Sequence, residues 1–530
     1  MQIKKLKNEM ISNSIIVGLM TLVSRITGLV RDMVFAHFLG SSRIADLFLI
    51  ATRIPNTFRA IFADGAFNNT FIPLFSAVAN DNDKNKLQKF SRDIFSLLFY
   101  VLTIFTIVVL IFMPIIVRAF AGGITTDIDA FNTLVMMCKI TFPFLIFVSI
   151  TRFFAGILET KNRFCLVAFS PAIVNIIGTL GVFVAAKYSL NIAMWAAWAF
   201  TIGGIVQACV LFAATAQNGF GIVPYPIQIF VKNFTAIVRE KNVRVFTKNI
   251  GPGIISGGIY NLNIMISTFF ASTISGAVSW IYYAERLVQL PLGIIGIAIG
   301  TVLLPRMSAA KKTDETTTYL NKAIKASLLL LVPTAAGLMM LGGVIVSIIY
   351  ERGAFGIDDT MTVWKALVVL AVGLPFLSLN RYLSIVFYAK HDTKTPMYIA
   401  VICAILNVVI SFFAVRGFGY LGVAIASVAI TIVNFLLLYF AMLWKKIGQI
   451  YASTFWFFVK TIISTYFMGI GIAAVAMVAD NFGNGDDIMS KIFALTWSII
   501  QSVIIYFIIF GLITLIEKIA LKIFIDRPKF

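Results

Sequence analysis

Long apolar stretches alternate with short polar segments along almost the whole chain. Each stretch is roughly 20 residues or longer, which is the length an α-helix needs to cross about 30 Å of hydrocarbon. About fourteen such windows occur, near residues 10–37, 45–77, 92–117, 131–158, 164–186, 189–215, 245–273, 277–305, 322–349, 360–389, 396–415, 420–443, 455–479 and 489–516. The pattern predicts an all-α polytopic membrane protein with about 14 transmembrane helices.

The composition excludes a water-soluble domain. Of the 530 residues, 60% are hydrophobic and 12% are charged, and the mean hydropathy is +0.95, so a polar shell cannot be built. The first apolar run lacks a small-residue cleavage site and is followed by many similar runs, so we expect no cleaved signal peptide. The four cysteines are far apart in apolar stretches and predict packing roles rather than disulfides or a metal site.

The formal charge of +20 follows from topology. Basic residues are concentrated in alternate loops between the predicted spans, whereas the other loops carry acidic pairs such as Asp127/Asp129 and Asp358/Asp359. By the positive-inside rule, both termini are predicted to be cytoplasmic in a multi-pass protein of the bacterial cytoplasmic (inner) membrane. We therefore expect membrane lipids, and no nucleic acid, among its partners. The basic loops contain Lys84, Lys86, Lys89, Lys161, Arg163, Lys232, Arg239, Lys241, Arg244, Arg306, Lys311, Lys312, Lys390, Lys394, Lys445 and Lys446.

An internal repeat divides the chain. The motif Thr141–Leu145, centred on Pro143, returns about 230 residues later as Gly373–Leu377, and at the same offset Asn175 falls on Asn407. Six spans per copy keep both copies in one orientation, which predicts two six-helix lobes in a parallel repeat around a cavity. Chance similarity between apolar segments is the alternative. The predicted domains are an N-lobe at 1–220, a C-lobe at 221–446, and a C-terminal helix pair with a basic tail at 447–530.

Charged residues occur well inside several predicted spans. A central arginine that faces lipid costs roughly 2.5–3.5 kcal/mol, so these groups must face water, partners or a ligand. One reading is a structural ion-pair network in which Asp32, Asp46, Asp64 and Glu285 neutralise some of the arginines. The other is a site for an anionic phosphate-bearing substrate, which arginine binds bidentately. The candidate substrate-binding residues are Ser24, Arg25, Arg31, Asp32, Asp46, Arg53, Arg59, Glu285 and Arg286.

The sequence offers little for enzymatic chemistry. It has no GxxxxGK[ST] phosphate loop, so ATP hydrolysis is not expected. His37 and His391 lie in distant segments and predict interfacial positions rather than a catalytic pair or metal ligands. We expect a transporter without a metal or cofactor. A membrane enzyme acting on a lipid, and an arginine-lined anion channel, are the alternatives from other classes.

Several motifs resemble the MurJ (MviN) lipid II flippase family of the multidrug/oligosaccharidyl-lipid/polysaccharide exporter superfamily. The resemblance extends over most of the chain. Its most specific parts are Ser24-Arg25-x-x-Gly28-x-x-Arg31-Asp32, Ala45-Asp46-x-Phe48, Pro55-Asn56-x-x-Arg59, Ile61–Phe67, and Ser279-Trp280-x-Tyr282-Tyr283-Ala284-Glu285-Arg286.

The resemblance implies a function and a set of site residues. It implies export of lipid II, a peptidoglycan precursor, for cell-wall biogenesis and cell shape, with the cell-wall synthesis machinery as a further expected partner. It also implies that Arg25, Arg31, Arg59 and Arg286 form a central arginine cluster that receives the pyrophosphate, and that the C-terminal pair forms a groove for the lipid tail. Glu285 stands where the family usually has aspartate. A flippase for another lipid-linked oligosaccharide, or a drug exporter of the same superfamily, is the alternative.

Overall fold

The chain is helical throughout its described parts. The computed structural model describes residues 2–60, 66–80, 83–310, 313–481 and 488–525, and none of these residues lies in a β-strand. They divide into two compact units, Met1–Ser279 with Arg352–Phe355, and Trp280–Glu351 with Gly356–Phe530. The division falls within a helix after Ser279. The lobe boundary that we predicted near residue 220 stays a prediction.

Unit 1 contains eleven helices and the first residues of a twelfth, counted over the described residues. They are α1 (Gln2–Leu39), α2 (Arg43–Arg59), α3 (Ala66–Asn80), α4 (Lys84–Ile111), α5 (Met113–Phe120), α6 (Ile128–Thr141), α7 (Phe144–Thr160), α8 (Phe164–Lys187), α9 (Ile192–Gln217), α10 (Ile227–Arg239), α11 (Lys241–Ala271) and the start of α12 (Ala277–Pro291), with a short 3₁₀ turn at Gly122–Ile124.

Unit 2 contains the remainder of α12 and eight further helices within the described residues. A π-helical turn at Leu292–Gly296 follows α12. The helices are α13 (Ile297–Ala309), α14 (Thr313–Tyr350), α15 (Ile357–Val372), α16 (Leu374–Ala389), α17 (Lys394–Phe418), α18 (Tyr420–Trp444), α19 (Ala452–Asn481) and α20 (Ile488–Ile525).

Short polar side chains set the starts of many helices. An oxygen just before a helix can accept a hydrogen bond from one of the first N–H groups, which otherwise have no partner. Asp83 caps α4 by accepting from the N–H groups of Asn85 and Lys86 at 3.0 Å. Ser42, Asp127, Asn191 and Glu240 cap α2, α6, α9 and α11 in the same way.

Ten described segments are long and apolar enough to cross a membrane. They lie at Lys84–Ile111, Ile128–Thr160, Phe164–Lys187, Ile192–Gln217, Thr313–Tyr350, Ile357–Ala389, Lys394–Phe418, Tyr420–Trp444, Ala452–Ala474 and Ile488–Ile519. Within the part of the chain that the structure describes, no such segment covers the windows predicted at 10–37, 45–77, 245–273 and 277–305. These are the first two spans of each predicted half.

Both copies of the repeated proline motif interrupt a span. In unit 1, α6 ends at Thr141 and α7 begins at Phe144, and Pro143 lies in the break. In unit 2, α15 ends at Val372 and α16 begins at Leu374, one residue before Pro375. Proline removes a backbone donor and clashes with the preceding turn, so the same sequence feature breaks the helix at both places.

Aromatic packing dominates the core of unit 1. Phe71 of α3, Phe95 of α4 and Phe153 of α7 are buried together, and the ring centroids of Phe95 and Phe153 are 4.8 Å apart. Phe230 of α10 and Phe246 of α11 join the same cluster. This core fixes α3, α4 and α7 against the segment that follows α9.

The C-terminal helices of unit 2 are attached to α14 at three levels. Near the start of α19, Asn321 accepts hydrogen bonds from the Tyr451 N–H and the Thr454 hydroxyl. In the middle, the buried Tyr506 donates to the Leu329 carbonyl at 2.8 Å. Near the start of α20, Lys491 donates to Ser347 at 3.1 Å. The pair α19 and α20 is therefore a defined part of unit 2, and Lys460 and Glu517 join its two helices by an ion pair.

Candidate functional site

The polar part of α1 is organised around Arg31. Its Nη2 lies 2.8 Å and its Nε lies 3.1 Å from one carboxylate oxygen of Asp32, which is 1% exposed. Its Nη1 donates to the Asn175 side chain at 3.1 Å. Adjacent helical residues point about 100° apart, but the long arginine side chain curls back to its neighbour. The nearly buried Asp32 therefore has Arg31 as its counter-charge.

Asn175 on α8 is a site residue that the sequence alone did not assign. Its side-chain N–H₂ lies 3.2 Å from the Ser24 carbonyl and 3.3 Å from the Thr27 hydroxyl, while its oxygen receives Arg31. One amide thus ties α8 to three residues of α1. The only sequence signal was the match of Asn175 with Asn407 in the repeat. In unit 2, Asn407 is buried, and its side chain accepts a hydrogen bond from Ser411 at 3.1 Å.

Arg25 stands six residues before Arg31 and has a different environment. It is partly buried, yet it makes no hydrogen bond or ion pair with any residue that the structure describes. Ser24, next to it, contributes its backbone carbonyl to Asn175. Asp64, one of the carboxylates predicted as a partner for the arginines, lies outside the described residues. A guanidinium in an apolar segment with no described partner is suited to an anionic ligand.

Asp46 of α2 is fully buried and caps another helix. Its two carboxylate oxygens accept from the Gly276 N–H at 2.6 Å, the Ser279 N–H at 2.8 Å and the Ser279 hydroxyl at 2.7 Å. Because α12 begins at Ala277, these are its first donors, and negative charge at a helix N-terminus is favourable. Asp46, which is 0% exposed, therefore fixes the first turn of α12.

Arg53 and Arg59, two of the three arginines of α2, have polar partners in unit 1. Arg53 donates from Nη1 to the Thr268 hydroxyl of α11 at 2.8 Å. Arg59, at the end of α2, donates from Nε to the Asn56 side chain at 3.2 Å. These two hydrogen bonds orient the guanidinium groups of Arg53 and Arg59.

Glu285 and Arg286 lie on the less buried face of α12, in unit 2. Tyr283, Ala284 and Leu287 are buried, and the Tyr283 ring packs 4.8 Å from that of Tyr350. Glu285 and Arg286 are partly exposed, and the Arg286 guanidinium lies 5.4 Å from the Tyr282 ring centroid, one turn earlier. The π-helical turn that ends this segment, at Leu292–Gly296, is a form that occurs frequently at functional sites.

The structure thus places seven of the nine predicted residues in unit 1 and two in unit 2. Within unit 1, Asn175 joins Ser24 to Arg31, and Arg31 bonds Asp32. Asp46 lies at a different place, where it caps the start of α12. The convergence of Arg286 with Arg25 and Arg31 stays a prediction.

Comparisons with known proteins give one consistent result. The family model described as lipid II flippase MurJ matches residues 35–493. A probable lipid II flippase MurJ from Rickettsia prowazekii (strain Madrid E) is 33% identical over 508 residues, which cover 93% of this chain and 96% of the relative.

Solved structures extend this result to the fold. A lipid II flippase MurJ in an inward closed conformation is 25% identical, covers 95% of this chain and 100% of its own, and has a TM-score of 0.76. An inward-facing multidrug resistance MATE family transporter of the MOP superfamily shares the fold at 13% identity, with a TM-score of 0.65 and coverage of 80% of this chain and 94% of its own. The family model spans most of the chain, and the curated relative matches nearly end to end; this multi-pass inner-membrane protein therefore belongs to the MurJ family of lipid II flippases.

Proposed function

We propose that this protein moves lipid II, the undecaprenyl-pyrophosphate-linked peptidoglycan precursor, from the cytoplasmic to the outer leaflet of the membrane. The single observation that carries the proposal is membership of a family whose members are described as lipid II flippases. The polar centre of α1 adds chemical support, because a pyrophosphate needs cations in a segment that would otherwise be apolar.

Each arginine has a different role in this proposal. Arg25 has no bonding partner among the described residues and is free to bind the pyrophosphate directly. Arg31 is held in place by Asp32 and Asn175 and supplies positive charge in a fixed position. Arg286 approaches from α12, whose start is fixed by Asp46. Arg53 and Arg59 line the cavity with orientations set by Thr268 and Asn56, and Glu285 tunes the charge beside Arg286.

The membrane layout is part of the same proposal. We infer about fourteen spans, with α1, α2–α3, α11 and α12–α13 added to the ten apolar segments. Both termini are cytoplasmic. The support for this inference is that each of the four added segments is helical over most of its predicted window. Two six-helix lobes rocking about that cavity would give alternating access.

The membrane potential supplies the driving force in this proposal. An inside-negative potential favours outward movement of an anion by roughly 2.3 kcal/mol per charge per 100 mV. A doubly charged pyrophosphate would therefore gain about 4–5 kcal/mol at 100 mV if its charge crosses uncompensated. The protein needs no ATPase under this scheme.

A voltage dependence of transport checks the driving force. In proteoliposomes of defined lipid composition, with a potassium diffusion potential set by valinomycin, lipid II transport in the favoured direction should be faster than at zero potential in the same salts. Equal rates at both potentials, with protein that is demonstrably active, would show that the potential does not drive transport.

An assay for lipid II at the outer face of cells tests the function. The host's own flippase is shut off, and the wild type is compared with Arg25→Ala, Arg25→Lys and Arg286→Ala at matched expression. Arg118→Ala is the control, because Arg118 is an exposed arginine that stacks on Phe131, outside the proposed site. We expect the wild type and the control to restore outer-face lipid II, both alanine variants to lose at least about 90% of it, and Arg25→Lys to fall between, since lysine keeps the charge but not the bidentate geometry.

The outcomes separate the parts of the proposal. If the well-expressed wild type fails to restore outer-face lipid II, the substrate is another lipid-linked glycan. If the wild type and all variants restore it equally, lipid II transport stands and the arginines have only structural roles.

A further inference from the structure

A cationic cavity lies in unit 1, and its walls include none of the arginines of α1 and α2. It has a volume of about 320 Å³ and lies between α4 and the segment that precedes α10. Its α4 side is formed by Asn85, Gln88, Lys89 and Arg92, which share one helical face because they are spaced by three and four residues. Gly221, Ile222, Val223 and Tyr225 form the other side.

The walls of this cavity are built by specific bonds. The Tyr100 hydroxyl donates to the Tyr225 carbonyl at 2.6 Å, and the Tyr225 N–H donates to the Ser96 hydroxyl at 2.9 Å. The Tyr225 hydroxyl interacts with the carboxylate of Asp93, which is 2% exposed. Burial and the neighbouring Asp93 raise the pKa of the Tyr225 hydroxyl, so it stays a neutral donor. The segment 221–225 is therefore fixed against α4.

The cations in this cavity have spare bonding capacity. The Arg92 guanidinium lies 4.3 Å from the Tyr225 ring centroid, and its buried Nε has no hydrogen-bond partner among the described residues. A buried donor without a partner costs free energy that a bound acceptor would recover. Lys89 is exposed and makes no hydrogen bond or ion pair with any described residue. Asp93, a buried carboxylate on α4, interacts electrostatically with Lys89, Arg92 and Tyr225.

The neighbouring helix α10 has the features of a helix that lies on a membrane surface. Phe230 is buried against Tyr100, with ring centroids 4.5 Å apart. Ile227, Val231 and Phe234 are exposed, although they are large and apolar. Exposed basic residues occur along α10 and the first turns of α11: Lys232, Arg239, Lys241, Arg244 and Lys248. Exposed apolar residues bordered by Lys and Arg are typical of helices that lie at the headgroup level of a bilayer containing anionic lipid.

We propose that the cavity formed by Lys89, Arg92 and Tyr225 binds the phosphate group of an anionic membrane phospholipid, at the membrane face along which α10 lies. The phosphate oxygens accept from Arg92 and from Lys89, which arginine and lysine favour as charge-assisted hydrogen bonds. The apolar residues of α10 place the acyl chains beside the cavity. The volume lies within the range of about 300–1,000 Å³ for ligand sites. This site is distinct from the proposed transport site, and it binds lipid whether or not the protein transports lipid II.

Lipid binding to the full-length protein tests this proposal. Purified protein in detergent is titrated with dioleoylphosphatidylglycerol, and lipid adducts are counted by native mass spectrometry. Lys89→Gln/Arg92→Gln should weaken the tightest adduct by about tenfold or more, as expected for loss of a charge-assisted hydrogen bond. Lys394→Gln/Lys446→Gln, which removes two exposed lysines elsewhere, should leave it unchanged.

A second variant and a second lipid complete the test. Lys89→Glu changes an exposed side chain that makes no described hydrogen bond, so the protein should fold normally. This variant should also weaken phosphatidylglycerol binding by about tenfold. Dioleoylphosphatidylcholine should bind the wild type more weakly than phosphatidylglycerol. Equal phosphatidylglycerol binding by the wild type and both cavity variants would overturn the proposal, and so would equal binding of the two lipids. Displacement of the lipid by an equal concentration of inorganic phosphate would show that the cavity takes a free anion rather than a lipid.

Discussion

Asp46 accepts three hydrogen bonds while fully buried, and this changes how its importance should be tested. Its partners lie 230 and 233 residues away in the chain, so no local pattern could indicate them. Sequence reasoning places Asp46 among the substrate-binding residues because of its charge and its motif. In the structure it caps the start of α12, and its contact with the substrate stays a prediction.

Removing the Asp46 carboxylate should destabilise the protein. Asp46→Ala leaves three buried donors unsatisfied, each at a cost of about 1–3 kcal/mol, so we expect a loss of about 3 kcal/mol or more and a clear drop in the thermal unfolding midpoint in detergent. Asp46→Asn keeps one acceptor and should fall between. Ser279→Ala removes only the hydroxyl donor and serves as the control, with an expected loss near 1 kcal/mol.

Stability and transport together distinguish a positioning residue from a substrate contact. Arg25→Ala should lose transport with an unchanged unfolding midpoint, because Arg25 has no described partner. Asp46→Ala should lose both. An Asp46→Ala variant that is as stable as Ser279→Ala but inactive would instead place Asp46 in contact with the substrate.

At the scale of whole helices, the length of the apolar stretches predicted where spans lie. The polar residues did not predict which helices contact one another. The ten apolar segments coincide with predicted windows, and the proline motifs mark two real breaks, since both signals are local. The partners of polar residues in the other four windows often come from distant helices, as Thr268 of α11 does for Arg53. Asn175, for example, is unremarkable in sequence, but its amide joins α8 to Ser24, Thr27 and Arg31.

Asn321 controls how the C-terminal pair is attached to α14. Its amide donates to the Thr317 and Gln449 carbonyls and accepts from Tyr451 and Thr454, so all its bonding capacity is used. Asn321→Ala should release the start of α19, and hydrogen exchange of the Tyr451 amide should accelerate by about tenfold or more.

A nearby contact supplies the control for that experiment. Lys325→Ala removes the exposed bond from Lys325 to Ser453 and should leave the exchange rate of the Tyr451 amide nearly unchanged. If Asn321→Ala also has no effect, the attachment of α19 depends on the apolar contacts and on Tyr506.

For the whole molecule, the proposed orientation can be tested at two exposed loop positions. The loop before α6 contains Thr126, and the loop between α7 and α8 contains Arg163. In a background with the exposed Cys165 and Cys209 replaced by alanine, a membrane-impermeant thiol reagent should label Thr126→Cys in intact cells. Arg163→Cys should be labelled only after permeabilisation. The opposite pattern would invert the topology and place the cavity beside α4 on the outer face.

The bond between Arg31 and Asn175 also has a consequence for biogenesis. The two residues are 144 positions apart, and ribosomes add about 5–20 residues per second, so α1 is made roughly 7–29 seconds before its partner on α8. During that interval a helix with two arginines and an aspartate has no amide to complete its network, and its insertion into lipid is unfavourable. Such a helix must wait beside the insertion machinery, or at the membrane surface, until α8 emerges. The order in which helices enter the bilayer then differs from the order in which they are synthesised.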